Sequence, residues 1–156
     1  MTPAINYAKK HRIAFTIHKY KHDPAQESYG LEAAEKLGLN PDQVFKTLVT
    51  RLDTAELAVA ILPVTRMLNL KSFARACGVK KAEMADKAVV EKITGYVLGG
   101  VSPLGQKKRL KTIVDRSAAG FTSIYVSAGR RGLEIELSPN DLLYHTSGSL
   151  QPIADD

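Results

Sequence analysis

Hydrophobic residues recur along the chain with two periods, one typical of helices and one typical of strands. Apolar positions three or four residues apart predict helices over residues 2–10, 31–37, 69–77 and 86–94, and another helix beginning at Ser138. In the fourth helix, Val89, Val90 and Ile93 are expected to face inward. The boundaries carry the usual signals: Thr2, Asn69 and Asp86 at the starts, Gly38, Gly78 and Gly95 at the ends.

Runs of β-branched and alternating apolar residues predict the strands. They cover residues 14–20, 44–52, 56–64, 96–98, 110–115, 123–127 and 133–137, with a hairpin turn at residues 53–55. Helices and strands are interspersed without a regular βαβ repeat. The pattern therefore predicts one α+β domain over residues 1–156, with a mixed β-sheet covered by helices.

Composition narrows the class of protein. The chain has 156 residues, of which 44% are hydrophobic, and no apolar run approaches the length of a membrane span. The N-terminal residues lack the apolar core of a signal peptide, and the one cysteine excludes an intrachain disulfide. We expect a cytoplasmic protein that does not associate with a membrane.

The charge favours a polyanionic partner. The formal net charge is +6, and basic residues cluster at Lys107–Arg109, at Arg130 and Arg131, and at Lys80 and Lys81. These clusters lie far apart in sequence, so only the fold can bring them together.

The segment from Gly95 to Arg109 contains four glycines and one proline, and it ends in the basic cluster. Glycine allows a backbone to approach a ligand closely, and backbone N–H groups beside cations can bind an oxyanion or a phosphate. The same composition also fits a surface loop with solvated lysines. The sequence leaves both interpretations open.

Lys46 is unusual because it begins an apolar strand. It either lies at a solvated rim or points into a polar pocket, where it would hold a carboxylate, a phosphate or a developing oxyanion. Tyr20 and Tyr29 flank a polar loop, and they fit either a binding pocket or half-packed positions at a strand end.

Other site types find little support in the sequence. The four histidines lack the spacing of a metal site, Cys77 lies on an apolar helix face, and the nucleophile elbow, the Walker loop and the dinucleotide fingerprint are all missing. We expect no metal and no cofactor.

Several motifs together resemble one known family. They are Met1–Ile5, His22-Asp-Pro24, Glu32-Ala-Ala-Glu-Lys-Leu-Gly38, Phe45-Lys-Thr-Leu48, Val79–Asp86, Thr94–Arg109 and Ile124–Leu133. In this order they resemble the YbaK branch of the YbaK/EbsC family, relatives of the editing domain of bacterial prolyl-tRNA synthetases. The chain departs from the family's Ser-Gly-Gly-Lys-Arg-Gly pattern at Ala128.

The resemblance implies a mixed, barrel-like sheet surrounded by helices and a trans-editing aminoacyl-tRNA deacylase. The implied substrate is Cys-tRNA(Pro), with Cys-tRNA(Cys) as a further one, and the implied partners are tRNA and prolyl-tRNA synthetase, including a ternary complex. In this branch the cysteine thiol of the substrate assists cleavage. An Ala-tRNA(Pro) deacylase and a tRNA-binding module without catalysis remain the alternatives, and the oligomeric state stays open.

The resemblance also implies roles for individual residues. Lys46 matches the functional lysine near the terminal adenosine, and the Gly99–Pro103 segment matches a Gly-x-x-x-Pro loop lining the aminoacyl pocket. Loop N–H groups near Gly100 and Val101 would hold the oxyanion, and either Glu134 or Glu136 would supply an acid, of which we select Glu136. The expected substrate-binding residues are Tyr20, Tyr29, Thr47, Ser102, Pro103 and Glu136, and the expected tRNA-binding residues are Lys107, Lys108, Arg109, Arg130 and Arg131.

Overall fold

The computed structural model describes residues 1–26 and 28–156. Within these residues, five helices and eight strands follow one another: α1 (Pro3–Lys10), β1 (Thr16–Lys19), α2 (Tyr29–Leu37), β2 (Phe45–Leu52), β3 (Leu57–Pro63), α3 (Leu70–Ala76), β4 (Ala82–Met84), α4 (Lys87–Thr94), β5 (Lys111–Asp115), β6 (Ile124–Arg130), β7 (Leu133–Leu137), α5 (Pro139–Thr146) and β8 (Ser149–Gln151). Short 3₁₀ turns occupy Pro41–Gln43 and Arg116–Gly120.

The strands form two sheets. One is antiparallel, with the order β1-β7-β6, and the other is mixed, with the order β4-β2-β3-β5-β8. A single parallel bridge between Val44 and Tyr125 places the start of β2 beside β6. The expected mixed α+β fold is therefore confirmed, whereas the barrel-like detail is not supported, because the sheets of the described residues do not close.

The five-stranded sheet is covered on both faces. Phe45, Val49 and Ile61 pack with the inner face of the three-stranded sheet and with α1, α4 and α5. On the opposite face, Leu52 and Leu62 pack with Phe73 and Cys77 at α3. Side chains alternate along a strand, so Lys46 and Leu48 face away from the layer that contains Phe45.

Helix capping accounts for several boundaries predicted from the sequence. The Thr2 hydroxyl accepts a hydrogen bond from Ile5 N at 3.2 Å, and Asn69 accepts one from Ser72 N at 2.9 Å. Gly38 and Gly95 end α2 and α4 with φ of 66° and 82°. These two glycines adopt the left-handed conformation that side chains disfavour.

Three local predictions are wrong. Residues 96–98 form bends and a turn rather than a strand, because the left-handed Gly95 and Gly99 redirect the chain on both sides. The short strands β4 and β8 were not predicted. Val89 is 38% exposed instead of facing inward, so α4 packs mainly through Val90 and Ile93.

Candidate active site at the start of the second strand

A cavity of about 390 Å³ lies where the start of β2 meets the three-stranded sheet. The start of α2 and the segment of residues 95–109, which we call the glycine loop, complete its wall. The lining residues are Tyr20, Ser28, Tyr29, Gly30, Phe45, Lys46, Thr47, Leu48, Val64, Met84, Leu98, Gly99, Val101, Ser127, Arg130, Arg131 and Glu134. The volume falls in the range of small-molecule sites, about 300–1,000 Å³.

Lys46, the second residue of β2, lines this cavity. Its side chain is half-buried, and burial lowers the pKa of its ammonium group below the ordinary value. Among the described residues, no carboxylate oxygen lies within 4 Å of the Lys46 amine. Within the described residues, Lys46 thus has no ion-pair partner, and its ammonium group could pair with an anionic or polar group of a ligand.

Thr47, the next residue of β2, adds a polar atom to the cavity wall. Its hydroxyl oxygen is buried and has no hydrogen-bond partner in the part of the chain that the structure describes. A buried hydroxyl without a partner costs free energy, about 1–3 kcal/mol, which a ligand or a water molecule in the cavity would recover.

Glu134 supplies an acidic group to the cavity. It lies on β7 opposite Ser127 on β6 and His18 on β1, and it is 7% exposed. Desolvation by burial raises the pKa of its carboxyl group to about 8. A carboxyl group with this pKa can hold or release a proton near neutral pH.

Tyr20, Tyr29 and Arg131 form one side wall. The Tyr20 hydroxyl donates to the carbonyl oxygen of Tyr29 at 3.4 Å, and burial raises the pKa of this phenol to about 12. The Arg131 guanidinium lies 3.9 Å from the centre of the Tyr29 ring and donates to the Leu98 carbonyl oxygen at 3.3 Å. The wall thus joins α2 to the glycine loop.

The glycine loop requires glycine because of close contacts. A Cβ atom at Gly99 would lie 2.5 Å from the Tyr29 ring, and one at Gly100 would lie 2.8 Å from the Arg130 Cα atom. Gly99 also has a φ of 91°, which side chains rarely adopt. Substitution at either glycine would push the loop away from the cavity wall.

The loop N–H groups differ in availability. Gly100 N donates to the Val97 carbonyl oxygen at 2.8 Å, so this N–H is already used within the loop. Within residues 1–26 and 28–156, the N–H groups of Gly99 and Val101 have no acceptor. Of the two donors expected near Gly100 and Val101, Val101 is the one that remains available.

A buried network behind α2 supports the Tyr29 wall. Glu32 is 1% exposed and accepts hydrogen bonds from His22 Nδ1 at 2.7 Å and from Asp23 N at 2.8 Å, while Lys36 Nζ lies at 3.0 Å. Burial raises the pKa of Glu32, but these three donors outweigh it and lower the pKa to about 2. The ionised carboxylate therefore ties the 21–23 segment to the helix that carries Tyr29.

The structure brings together only part of the predicted site. Six of the expected catalytic and substrate-binding residues line the cavity: Tyr20, Tyr29, Lys46, Thr47, Gly99 and Val101. Four do not: Gly100, Ser102, Pro103 and Glu136. Ser102 is buried, and its hydroxyl accepts a hydrogen bond from Leu104 N at 3.3 Å, which gives it a role within the loop.

The two candidate glutamates lie in different environments. Glu136 accepts hydrogen bonds from Ser123 Oγ at 2.6 Å, and His18 Nε2 lies 2.9 Å from its carboxylate, outside the cavity. Glu134 occupies the cavity wall instead. Among the residues that prediction did not select, Ser28, Leu98 and Ser127 also line the cavity, and only alternation along β6 could have indicated Ser127.

The expected tRNA-binding residues separate into two groups. Arg130 and Arg131 line the cavity. Lys107, Lys108 and Arg109 are exposed at the other end of the glycine loop, where Arg109 contacts the end of α5. The departure at Ala128 has no conformational cost, because the left-handed residue of this β6 bulge is Gly129, with a φ of 115°.

Comparison with known proteins identifies the family. The model of the aminoacyl-tRNA editing domain matches residues 23–144. The chain belongs to this family. The resemblance seen in the sequence motifs is thus confirmed, and the matched region contains every residue of the cavity except Tyr20.

Individual relatives agree with this assignment. The chain is 37% identical over 153 residues to the "Putative Cys-tRNA(Pro)/Cys-tRNA(Cys) deacylase EbsC" of Enterococcus faecalis, covering 97% of this chain and 92% of that protein. It is 29% identical over 107 residues to the proline–tRNA ligase of Thermoanaerobacter sp. strain X514, covering 67% of this chain and 19% of the ligase.

A solved structure shares the fold. The protein described as "a putative trans-editing enzyme for prolyl tRNA synthetase" matches with a TM-score of 0.84 at 20% identity, covering 99% of this chain and 96% of that chain. None of the helices in the described ranges is long and apolar enough to cross a membrane.

Proposed function

We propose that this protein is an aminoacyl-tRNA deacylase that removes cysteine from mischarged Cys-tRNA(Pro). The observation that carries the proposal is the cavity of about 390 Å³ whose wall contains Lys46, Glu134 and Val101. Membership of the editing family supports the reaction class, and the description of the Enterococcus relative supports the substrate. Prolyl-tRNA synthetase is the proposed partner, because the deacylase would remove the cysteine that this synthetase attaches to tRNA(Pro) in error.

Lys46 is proposed to bind the tRNA end. An aminoacyl-tRNA presents a phosphodiester and a ribose beside the ester, and an unpaired ammonium group can pair with either. The neighbouring guanidinium groups of Arg130 and Arg131 would raise the local positive potential for the same phosphate. Lys46 therefore positions the substrate and does not act as the base.

The nucleophile is proposed to come from the substrate. No cysteine or histidine side chain lines the cavity among the described residues, and Cys77 lies in the separate apolar layer beneath α3. The substrate's own thiolate would attack the ester carbonyl carbon, forming a C–S bond and breaking the ester C–O bond. The products are a cyclic thiolactone of cysteine and the free tRNA hydroxyl, which takes up the proton lost by the thiol.

Two protein groups would lower the barrier for this step. The Val101 N–H is proposed to donate to the carbonyl oxygen as negative charge develops there; one such donor is typically worth about 3 kcal/mol. Glu134, with a pKa of about 8, would exchange the proton between the thiol and the leaving oxygen. The ester is already activated, so positioning accounts for much of the remaining rate.

The decisive experiment measures deacylation of purified Cys-tRNA(Pro) by the wild type and by Lys46→Ala. We expect the variant to lose deacylation by at least about 100-fold while its melting temperature and circular dichroism stay unchanged, because Lys46 is half-buried and pairs with no described carboxylate. Lys71→Ala, an exposed lysine on α3, is the matched control and should retain activity. Wild-type rates in Lys46→Ala would refute the lysine assignment.

The thiol step has its own test. Ser-tRNA(Pro) should be cleaved at least about 100-fold more slowly than Cys-tRNA(Pro), because a serine hydroxyl is almost fully protonated at neutral pH and is a poorer nucleophile. Both rates are measured with the same enzyme and the same tRNA transcript. Comparable rates would contradict thiol assistance and favour attack by water.

A further inference from the structure

A cluster of four aromatic rings lies where the ends of α1 and α5 meet, outside the cavity. Tyr7 and His11 stack with ring centres 3.9 Å apart, and His145 lies edge-on to both at 5.5 Å. Tyr144 adds the fourth ring, 5.0 Å from His145. We call Tyr7, His11, Tyr144 and His145 the ring cluster.

Hydrogen bonds hold the inner part of the ring cluster in place. The Tyr7 hydroxyl and His145 Nδ1 are 3.0 Å apart, and His11 Nδ1 lies 3.0 Å from the Tyr7 carbonyl oxygen. Tyr144 differs, because its side chain is 79% exposed. Packing and hydrogen bonding explain the other three rings, but they do not explain an exposed tyrosine at the end of α5.

Three segments that each contribute residues to this region carry no acidic residue. Residues 1–22, 92–114 and 142–154 contain neither aspartate nor glutamate, although the chain has 16 acidic residues. Tyr7, Arg109 and His145 line one small cavity, and Pro3 lies against Gly105, so parts of the three segments lie close together. The same segments hold ten basic residues: Lys9, Lys10, Arg12, Lys19, Lys21, Lys92, Lys107, Lys108, Arg109 and Lys111.

Arg109 is already oriented at the edge of the ring cluster. Its guanidinium donates to Ser147 Oγ at 2.7 Å and to the His145 carbonyl oxygen at 3.2 Å. None of the described carboxylates lies within 4 Å of it, although Glu56 lines the same groove. A fixed, exposed guanidinium loses little side-chain entropy when it pairs with a phosphate.

We propose that the ring cluster and the basic residues around Arg109 form a second RNA-binding surface, on which Tyr144 stacks against a nucleobase and Arg109 pairs with a phosphate. Exposed aromatic rings beside cations are the features with which proteins bind unpaired nucleotides. An acidic protein surface would match the cations, but it would leave the exposed Tyr144 ring without a specific role. The inference rests on the proposed function only in taking tRNA as the RNA.

The glycine loop connects this surface to the cavity. Leu98, Gly99 and Val101 line the cavity, whereas Pro103, Gly105 and Arg109 line the small cavity at the ring cluster. A tRNA bound at both places would contact the two ends of one loop. The second surface should therefore contribute to RNA affinity without contributing to the chemical step.

The test measures binding of uncharged tRNA(Pro) by fluorescence anisotropy for the wild type, Tyr144→Ala, Tyr144→Phe and Tyr144→Leu. Loss of one stacked base corresponds to about tenfold weaker binding. We expect this loss for the alanine and leucine variants and near wild-type binding for Tyr144→Phe, because phenylalanine keeps the ring. Met67→Ala, which removes a side chain that is 70% exposed elsewhere, is the control and should bind normally.

Arg109→Ala tests the phosphate contact. It should weaken tRNA binding and make the slope of log affinity against log salt concentration shallower by about one, because one phosphate contact is lost.

In deacylation, Tyr144→Ala should raise KM at unchanged kcat. If the Tyr144 variants and the Met67 control bind tRNA equally, the proposal is wrong. This holds even if the Tyr144 variants weaken binding to a protein, because the surface would then bind a protein and not RNA. If the wild type lacks deacylation but Tyr144 still governs tRNA binding, the proposed activity fails while this surface stands.

Discussion

Glu134 and Glu136 lie two residues apart on the same face of β7, yet their surroundings differ in kind. Glu134 faces the cavity, and desolvation raises the pKa of its carboxyl group to about 8. At Glu136 the hydrogen bond from Ser123 is the main influence, and together with His18 it outweighs burial and lowers the pKa. One carboxyl group is held protonated near neutral pH, and the other is held ionised.

The difference shows that partners decide the charge state of a carboxyl group on this sheet. Glu134 lies opposite His18 and Ser127 but accepts a hydrogen bond from neither, whereas His18 and Ser123 both contact Glu136. A satisfied carboxylate contributes to structure, whereas a buried carboxyl group without donors can take part in proton transfer. The pair therefore separates the proposed catalytic region from a structural one within a single strand.

The largest expected effect comes from Glu134→Gln. Glutamine keeps the size of the side chain but cannot transfer a proton, so we expect deacylation of Cys-tRNA(Pro) to fall by about 100-fold or more. Glu136→Gln is the matched variant on the same strand, and its rate should stay within about threefold of the wild type. Equal losses in the two variants would show that both glutamates act through the integrity of β7.

The pH dependence of stability sharpens the same comparison. The pKa of Glu134 is about 8 in the folded protein and about 4.5 ordinarily, so the folded state retains a proton that the unfolded chain releases. The contribution of Glu134 to stability is thus complete below pH 4.5 and is lost as the pH rises through 8.

Glu134→Gln removes the loss of stability that accompanies a rise in pH, because glutamine does not ionise. At pH 8 we expect the variant to be more stable than the wild type by about 4 kcal/mol, and near pH 4.5 the advantage should largely disappear. Thermal melts of both proteins from pH 4.5 to 9 measure this difference in stability. For a chain of this size, each kcal/mol shifts the melting temperature by about 2–4 °C. A constant difference across this range would mean that Glu134 is ionised throughout.

The fold was predictable where sequence signals are local. Capping residues such as Thr2 and Asn69 and the terminal Gly38 and Gly95 mark helix ends through contacts within a few residues. The strands β4 and β8 are three residues long and show no alternation of their own, so they form only because the neighbouring strands offer free edges. The Tyr-Val-Leu run at 96–98 has strand composition, but the buried Tyr96 hydroxyl donates to the Leu104 carbonyl oxygen and holds this segment in the loop.

The candidate site was predictable only in part, for a related reason. Lys46 stands out because a lysine at the start of an apolar strand is unusual. Alternation places Glu134 and Glu136 on one face of β7, so it cannot tell which of them meets the cavity. That depends on where β2 crosses β6, a contact between residues about 80 positions apart in sequence, of which the Val44–Tyr125 bridge is the visible sign.

The smallest expected effect concerns the stability of Glu136→Gln. Its carboxylate is partly exposed, so loss of the charge-assisted hydrogen bonds from Ser123 and His18 should cost about 1 kcal/mol at pH 7. The pKa of Glu136 is lowered on folding, so its contribution is present above the ordinary value of 4.5 and declines as the pH falls below it. The difference in melting temperature between Glu136→Gln and the wild type should therefore shrink in acid, as it does for Glu134→Gln, but the two differences have opposite signs. Urea unfolding at pH 7 and pH 3.5 measures both ends of this range. If the cost instead grew in acid, the Ser123 and His18 contacts would not be what holds Glu136 ionised, and the contrast between the two glutamates would lose its physical basis.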